Sequence, residues 1–216
     1  MISKNFKSRI LTSFILFFFT VLIFLNYKFL IYSSIILSVL SLLEFFNLSK
    51  NIFKNKLIKI IVNFLFISYV SLFFLLVIFY SHILEIKTIL FIILLGCIAS
   101  DLGGYVFGKI FKGPKLTKIS PNKTISGSIG SFVFTILLMF IIFYFYTNQF
   151  VIKLLYVSFL TSAASQFGDI FFSYLKRKAR FKDTGNILPG HGGILDRLDS
   201  IYFGIPIGFL TLLYLF

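Results

Sequence analysis

Seven stretches made mostly of Phe, Leu, Ile and Val leave this chain few folds to choose from. They lie near 9–25, 29–47, 58–80, 87–108, 128–147, 151–175 and 198–216. Each approaches or exceeds the roughly 20 residues that a helix needs to cross a bilayer. In hydrocarbon every backbone N–H and C=O must be satisfied within the protein, so spans of this kind are helices. Composition excludes a soluble domain: 13% of residues are charged, where soluble proteins have about a quarter, and 32 are phenylalanine. The expectation is an all-α polytopic membrane protein of about seven transmembrane helices and one domain overall. Residues 1–95 read as scaffold. Residues 96–216 read as the catalytic region, with cytoplasmic loops at 109–127 and 176–197.

Lys4, Lys7 and Arg9 precede the first run, as in a secretory leader, but Asn26-Tyr27-Lys28 offers no small-residue cleavage site. A retained first span is expected. With the N-terminus inside, 18 of the 21 basic residues fall on the cytoplasmic side, leaving Lys28, Lys87 and Lys153 outside. The positive-inside rule therefore orients the chain in the cell's inner membrane. The net charge of +14 follows this topology and not a nucleic-acid face. Cys97 is the one cysteine, which rules out an intramolecular disulfide and reads as packing.

Within the scaffold, Glu44 is the one intramembrane carboxylate, expected at the interface beside a lysine. From Gly96 onward the character changes. Gly96, Ser100, Gly104 and Gly108 recur every four residues, a small-residue stripe that lets two membrane helices approach closely. Asp101 lies beside the stripe, and an ionisable group at membrane depth is a functional candidate. The loop KIFKGPKLTKISPNKTISG interleaves lysines with hydroxyls and glycines, as suits phosphate oxygens. In the sixth span Ser162, Ser165, Gln166, Asp169 and Ser173 share one helix face, which must turn into the bundle.

The densest polar stretch is SYLKRKARFKDTGNILPGHGGILDRLD, residues 173–199, set between strongly apolar segments. Asp101, Asp169, Asp183, Asp196 and Asp199 all fall near the expected cytoplasmic ends of the last four spans. Carboxylates without a His/Cys cluster favour a hard cation, Mg²⁺ first. Beside so many lysines, such a cation suits nucleotidyl or phosphoryl transfer, which rests on positioning and charge neutralisation. Glycines at 185, 190, 192 and 193 would let backbone amides approach phosphate.

These residues resemble the signature of the phosphatidate cytidylyltransferases (CDP-diacylglycerol synthases). The match runs through Ser173, Leu175, Lys176, Arg177, Lys182, Asp183, Gly185, Leu188, Pro189, His191, Gly192, Gly193, Asp196, Arg197 and Asp199. It extends upstream through Asp101-Leu102-Gly103-Gly104-Tyr105, Ser120-Pro121-Asn122-Lys123-Thr124 and Gln166-Phe167-Gly168-Asp169, about half the chain. One departure stands out: where the family has Trp-Glu-Gly, this chain has Ile125-Ser126-Gly127, so that loop lacks its acidic member.

The resemblance implies Mg²⁺-dependent transfer of a cytidylyl group from CTP to phosphatidic acid at the bilayer surface. It assigns the metal to Asp169, Asp196 and Asp199, and adds Lys182 and His191 to the catalytic set. Substrate binding would fall to Ser120, Lys123, Thr124, Lys176, Arg177, Asp183, Arg197 and Asp101. A second cation and a homodimer are left open. The competing readings are a CTP-dependent enzyme on another lipid, such as a polyprenol kinase or an archaeal-type glycerolipid cytidylyltransferase, and a cation-coupled transporter. A non-catalytic membrane scaffold is the last.

Overall fold

Helix starts are written locally. Asn26 and Asn55 each sit in extended backbone just before a helix and accept from the first free amides, Lys28 and Phe29 for the one and Leu57 for the other. Thr124 does the same for Gly127. Such caps satisfy the donors a helix leaves over at its N-terminus. In the computed structural model, which describes residues 4–187 and 192–215, seven helices result: α1 (Lys4–Leu25), α2 (Tyr27–Ile52), α3 (Lys56–Tyr80), α4 (Leu84–Phe111), α5 (Ile125–Thr147), α6 (Lys153–Lys178) and α7 (Leu195–Leu215). The chain is a polytopic membrane protein of the expected all-α class.

Among the described residues five helices, α2, α3, α4, α5 and α7, are long and apolar enough to cross a bilayer. Helix α6 is long enough, but its polar face and its Lys-Arg-Lys end lower its hydropathy. It closes in a Schellman turn: Phe181 N–H donates to Lys176 O at 2.8 Å and Arg180 N–H to Arg177 O at 3.0 Å. Arg180 takes the left-handed conformation (φ 62°) usually given to glycine there.

The chain divides into two compact units. The first comprises Met1–Lys87 with Leu175–Leu198, the second Thr88–Tyr174 with Asp199–Phe216. In the first, aromatic rings join neighbouring helices: Phe19 meets Phe29 edge-on, and Phe45 stacks on Phe66 with centroids 3.7 Å apart. The Tyr27 hydroxyl donates to Ile78 O at 3.1 Å.

The second unit is held by small residues and interhelical hydrogen bonds, the usual adhesive where lipid is as apolar as leucine. The expected stripe on α4 faces α5. A Cβ on Gly104 would stand 2.7 Å from Ser131 Oγ, and one on Gly108 3.0 Å from Thr124 Oγ1. Ser131 Oγ donates to Ser100 O at 2.7 Å and Thr135 Oγ1 to Gly96 O at 3.2 Å. Gly103 and Gly130 interlock in the same seam. Ser100 and Ser162 share a bond at 3.0 Å that ties α4 to α6. On α7, Gly204 admits Cys97 and Ser165, while Gly208 admits Thr161 and Ile93. Cys97 is fully buried there, as packing.

Candidate functional site

In the first unit the turn between α6 and α7 is built around two carboxylates. Helix α7 begins after Ile194, whose carbonyl accepts from Arg197 and Leu198 N–H. An isoleucine has no side-chain oxygen with which to cap the helix. Glu44, far back in α2, supplies the acceptors: it takes Ile194 N–H at 3.0 Å, Leu195 N–H at 2.9 Å and the Thr184 hydroxyl at 2.6 Å. Asp196 takes the neighbouring donors. Its Oδ2 accepts from Thr184 N–H at 2.8 Å and Gly193 N–H at 3.0 Å, and its Oδ1 holds the Lys176 ammonium at 2.7 Å.

One expectation is corrected by this turn. Glu44 was expected beside a lysine; it is buried, and among the described residues its partners are a hydroxyl and backbone amides. The helix N-terminus complements its charge. Of the four glycines expected to bring amides to phosphate, Gly193 has its amide engaged by Asp196, and Gly190 lies outside the described residues. Gly185 and Gly193 make room for Glu44 itself, and a Cβ at Gly185 would stand 2.6 Å from its Oε1. Gly192, at φ +81°, faces Asp196 and Asp183.

In the second unit the loop after α4 turns sharply at Lys112 (φ 52°) and Gly113 (φ 107°). It folds back on itself through Leu116 N–H to Lys123 O at 2.8 Å and Ile125 N–H to Pro114 O at 3.0 Å. Lys123 N–H donates to Ser120 O at 3.0 Å, so the Ser-Pro-Asn-Lys segment is a tight turn. This presents the Lys123 ammonium to Asp169 at 2.5 Å, and Ser173 Oγ donates to the same carboxylate at 3.3 Å. Gln166 bonds to Ser128 of α5, so the polar face of α6 turns inward as its spacing required. Ser126 donates to Lys112 O and pairs with Thr124 Oγ1 at 3.0 Å.

The structure thus joins Lys123 to Asp169 and Lys176 to Asp196. Asp101 accepts from Ser200 Oγ at 2.9 Å. Asp199 is buried and accepts from the Ser200 amide. Thr124 caps α5, and Ser120 N–H donates to Thr117 Oγ1 at 3.2 Å. Lys182, Asp183, Arg177 and Arg197 are exposed, with an Arg177 nitrogen donating to Phe181 O. His191, Leu188, Pro189 and Gly190 lie outside the described residues.

The donor set suits a hard cation in kind, since Asp169, Asp196 and Asp199 offer carboxylate oxygen alone. Among the described residues no three His, Cys, Asp or Glu side chains gather as a metal cluster. Mg²⁺ does not require one, because it is commonly held by one or two carboxylates with water and substrate phosphate. Among the described residues Asp196 takes three donors of the roughly four its lone pairs admit.

The sequence matches the model of the "Cytidylyltransferase family" over residues 1–215. Three similar proteins all carry the name phosphatidate cytidylyltransferase. That of Helicobacter pylori (strain ATCC 700392 / 26695) is 45% identical over 118 residues, covering 54% of this chain and 44% of that protein. That of Rickettsia typhi is 41% identical over 123 residues, with 53% and 54% covered. That of Staphylococcus aureus (strain COL) is 46% identical over 110 residues, with 50% and 42% covered. The matched region thus spans about half the length of these curated relatives or somewhat less. With residues 1–215 inside the family model, the chain belongs to the cytidylyltransferase family.

Proposed function

We propose that this protein transfers a cytidylyl group from CTP to phosphatidic acid at the cytoplasmic face of the inner membrane, releasing pyrophosphate and CDP-diacylglycerol. The observation that carries the reading is the pair of lysine-held carboxylates, Lys123–Asp169 and Lys176–Asp196. Family membership and the relatives' shared name support it.

A phosphate monoester has a second pKa near 6, so a lipid phosphate is already a competent nucleophile at neutral pH. Its oxygen attacks the α-phosphorus of CTP, the bond to the bridging oxygen breaks, and pyrophosphate departs with the electron pair. The obstacle is repulsion between two anions. Lys123, Lys176, Arg177, Lys182 and Arg197 would neutralise phosphate oxygens and hold the leaving group in line. Arriving phosphates compete for the two paired lysines, which frees oxygens on Asp169 and Asp196. Those oxygens, with Asp199, would hold Mg²⁺, whose charge screens the reacting phosphates when bound. Acyl chains would remain in lipid.

The test is solubilised protein with phosphatidic acid, Mg²⁺ and CTP labelled in turn at the α- and γ-phosphate. α-Label in the lipid extract is expected. γ-Label there would mean a kinase, and ion flux into liposomes without CTP would mean a transporter.

A further inference from the structure

The chain retains a fully formed acidic side chain where membrane proteins seldom keep one. Glu44 is 6% exposed, and the mechanism above does not use it. Three donors converge on it: two consecutive amides and a hydroxyl, contributed by residues 140 to 151 positions away in sequence. A carboxylate is the side chain for such a place, because it only accepts; a glutamine would turn N–H groups toward N–H groups. The two nearest glycines belong to the same fit. A methyl group at 193 would collide with both the Glu44 carboxylate and Thr184 Oγ1.

Thr184 links this arrangement to the candidate site. Its hydroxyl donates to Glu44 while its own N–H donates to Asp196. The amides of Gly193, Ile194 and Leu195 alternate in the same way, the first to Asp196 and the next two to Glu44. The two carboxylates therefore divide neighbouring backbone donors between them. Moving Glu44 would release the start of α7 and, through Thr184 and Gly193, the two bonds that aim Asp196.

We propose that Glu44 is a positioning residue for the transfer reaction. From α2 it fixes Thr184 and the amides of Ile194 and Leu195, and so sets the direction in which Asp196 and its partner Lys176 meet substrate phosphate. The proposal rests on the reading given under Proposed function. It predicts that Glu44 acts on turnover although it touches no substrate.

Glu44→Gln, Glu44→Asp and Thr184→Val, each in nanodiscs, are compared with the parent protein by two readouts. The first is amide hydrogen exchange over residues 192–198, with α3 as internal reference. In Glu44→Gln the Ile194 and Leu195 amides should exchange at least about tenfold faster while α3 stays protected. The second is α-label transfer from CTP, where kcat should fall by roughly 10- to 100-fold with a smaller change in KM, as for outer residues that orient a ligand. Glu44→Asp should fall between the two, and Thr184→Val should show a weaker form of the same pattern. A purely structural role would instead lower yield and loosen α3 alongside the turn, with kcat per folded molecule unchanged; that result overturns the proposal. Should Glu44→Gln fail to fold, Glu44→Asp and Thr184→Val decide in its place by the same two criteria. If the parent protein transfers no label, the reaction assigned above is wrong. In that case protection kept at Ile194 and Leu195 overturns Glu44's hold on the turn as well, and protection lost there with α3 still protected sustains that hold alone, without a role in the transfer reaction.

Discussion

Asp196 and Asp169 are both aspartates near helix ends, and each carries a lysine, yet they are held in different ways. Asp196 is gripped by two backbone amides as well as Lys176, and its side chain is only 7% exposed. Among the described residues Asp169 has Lys123 and the Ser173 hydroxyl, side-chain partners only, and is 30% exposed. Backbone donors move only if the turn moves, whereas a lysine can leave for a better anion. On this view Asp196 is a fixed point and Asp169 a responsive one.

The largest effect should come from removing the charge at either place. Asp196→Asn and Asp169→Asn are each expected to lower α-label transfer by at least about 100-fold while the protein still inserts and elutes as the parent does. The contrast between the two should show in the turn: Asp196→Asn loosens amide exchange at Thr184 and Gly193, and Asp169→Asn leaves it intact. Near-normal turnover in either variant would remove that residue from the site.

A middle-sized effect is expected from Lys123→Met. Asp169 then loses its ammonium, and KM for CTP should rise about tenfold, equivalent to about 1.4 kcal/mol of binding. Since that lysine also competes with the cation, half-saturation by Mg²⁺ should not worsen. A rise in the Mg²⁺ requirement would instead show that Lys123 only braces the loop.

The smallest effect on chemistry should follow from Gly130→Ala, in the α4–α5 seam. The new methyl would press on Phe107 and stand 2.8 Å from Gly103 O. Forcing a close-packed contact apart costs about 1–3 kcal/mol. Thermal unfolding in detergent should come earlier, with KM for CTP unchanged. A KM shift would mean that the seam shapes the site as well as the fold.

Much of this was legible beforehand because the signals are local. Apolar run length gave the helices, the four-residue recurrence from Gly96 to Gly108 gave the α4 seam, and the polar spacing on α6 placed Asp169 inward. Helix α4 runs to Phe111 and α6 starts at Lys153, small departures at ends where apolar character fades. Glu44 was misread for a physical reason. Its partners are main-chain amides in a distant turn, and an amide leaves no mark in the identity of the residue that carries it. Only Ile194, a helix start without a capping side chain, hinted that an acceptor must come from elsewhere. The Gly204 and Gly208 contacts of α7 share a four-residue spacing that could have been found by the rule applied to α4.

The account stands on carboxylates that take up a divalent cation when a polyphosphate draws their lysines away. Mn²⁺ retained by the protein in nanodiscs with CTP present measures this directly, counted against Asp169→Asn and Asp196→Asn nanodiscs treated alike. The parent protein should retain Mn²⁺ with an affinity about 10- to 100-fold above that of either variant. Equal retention by all three would contradict it.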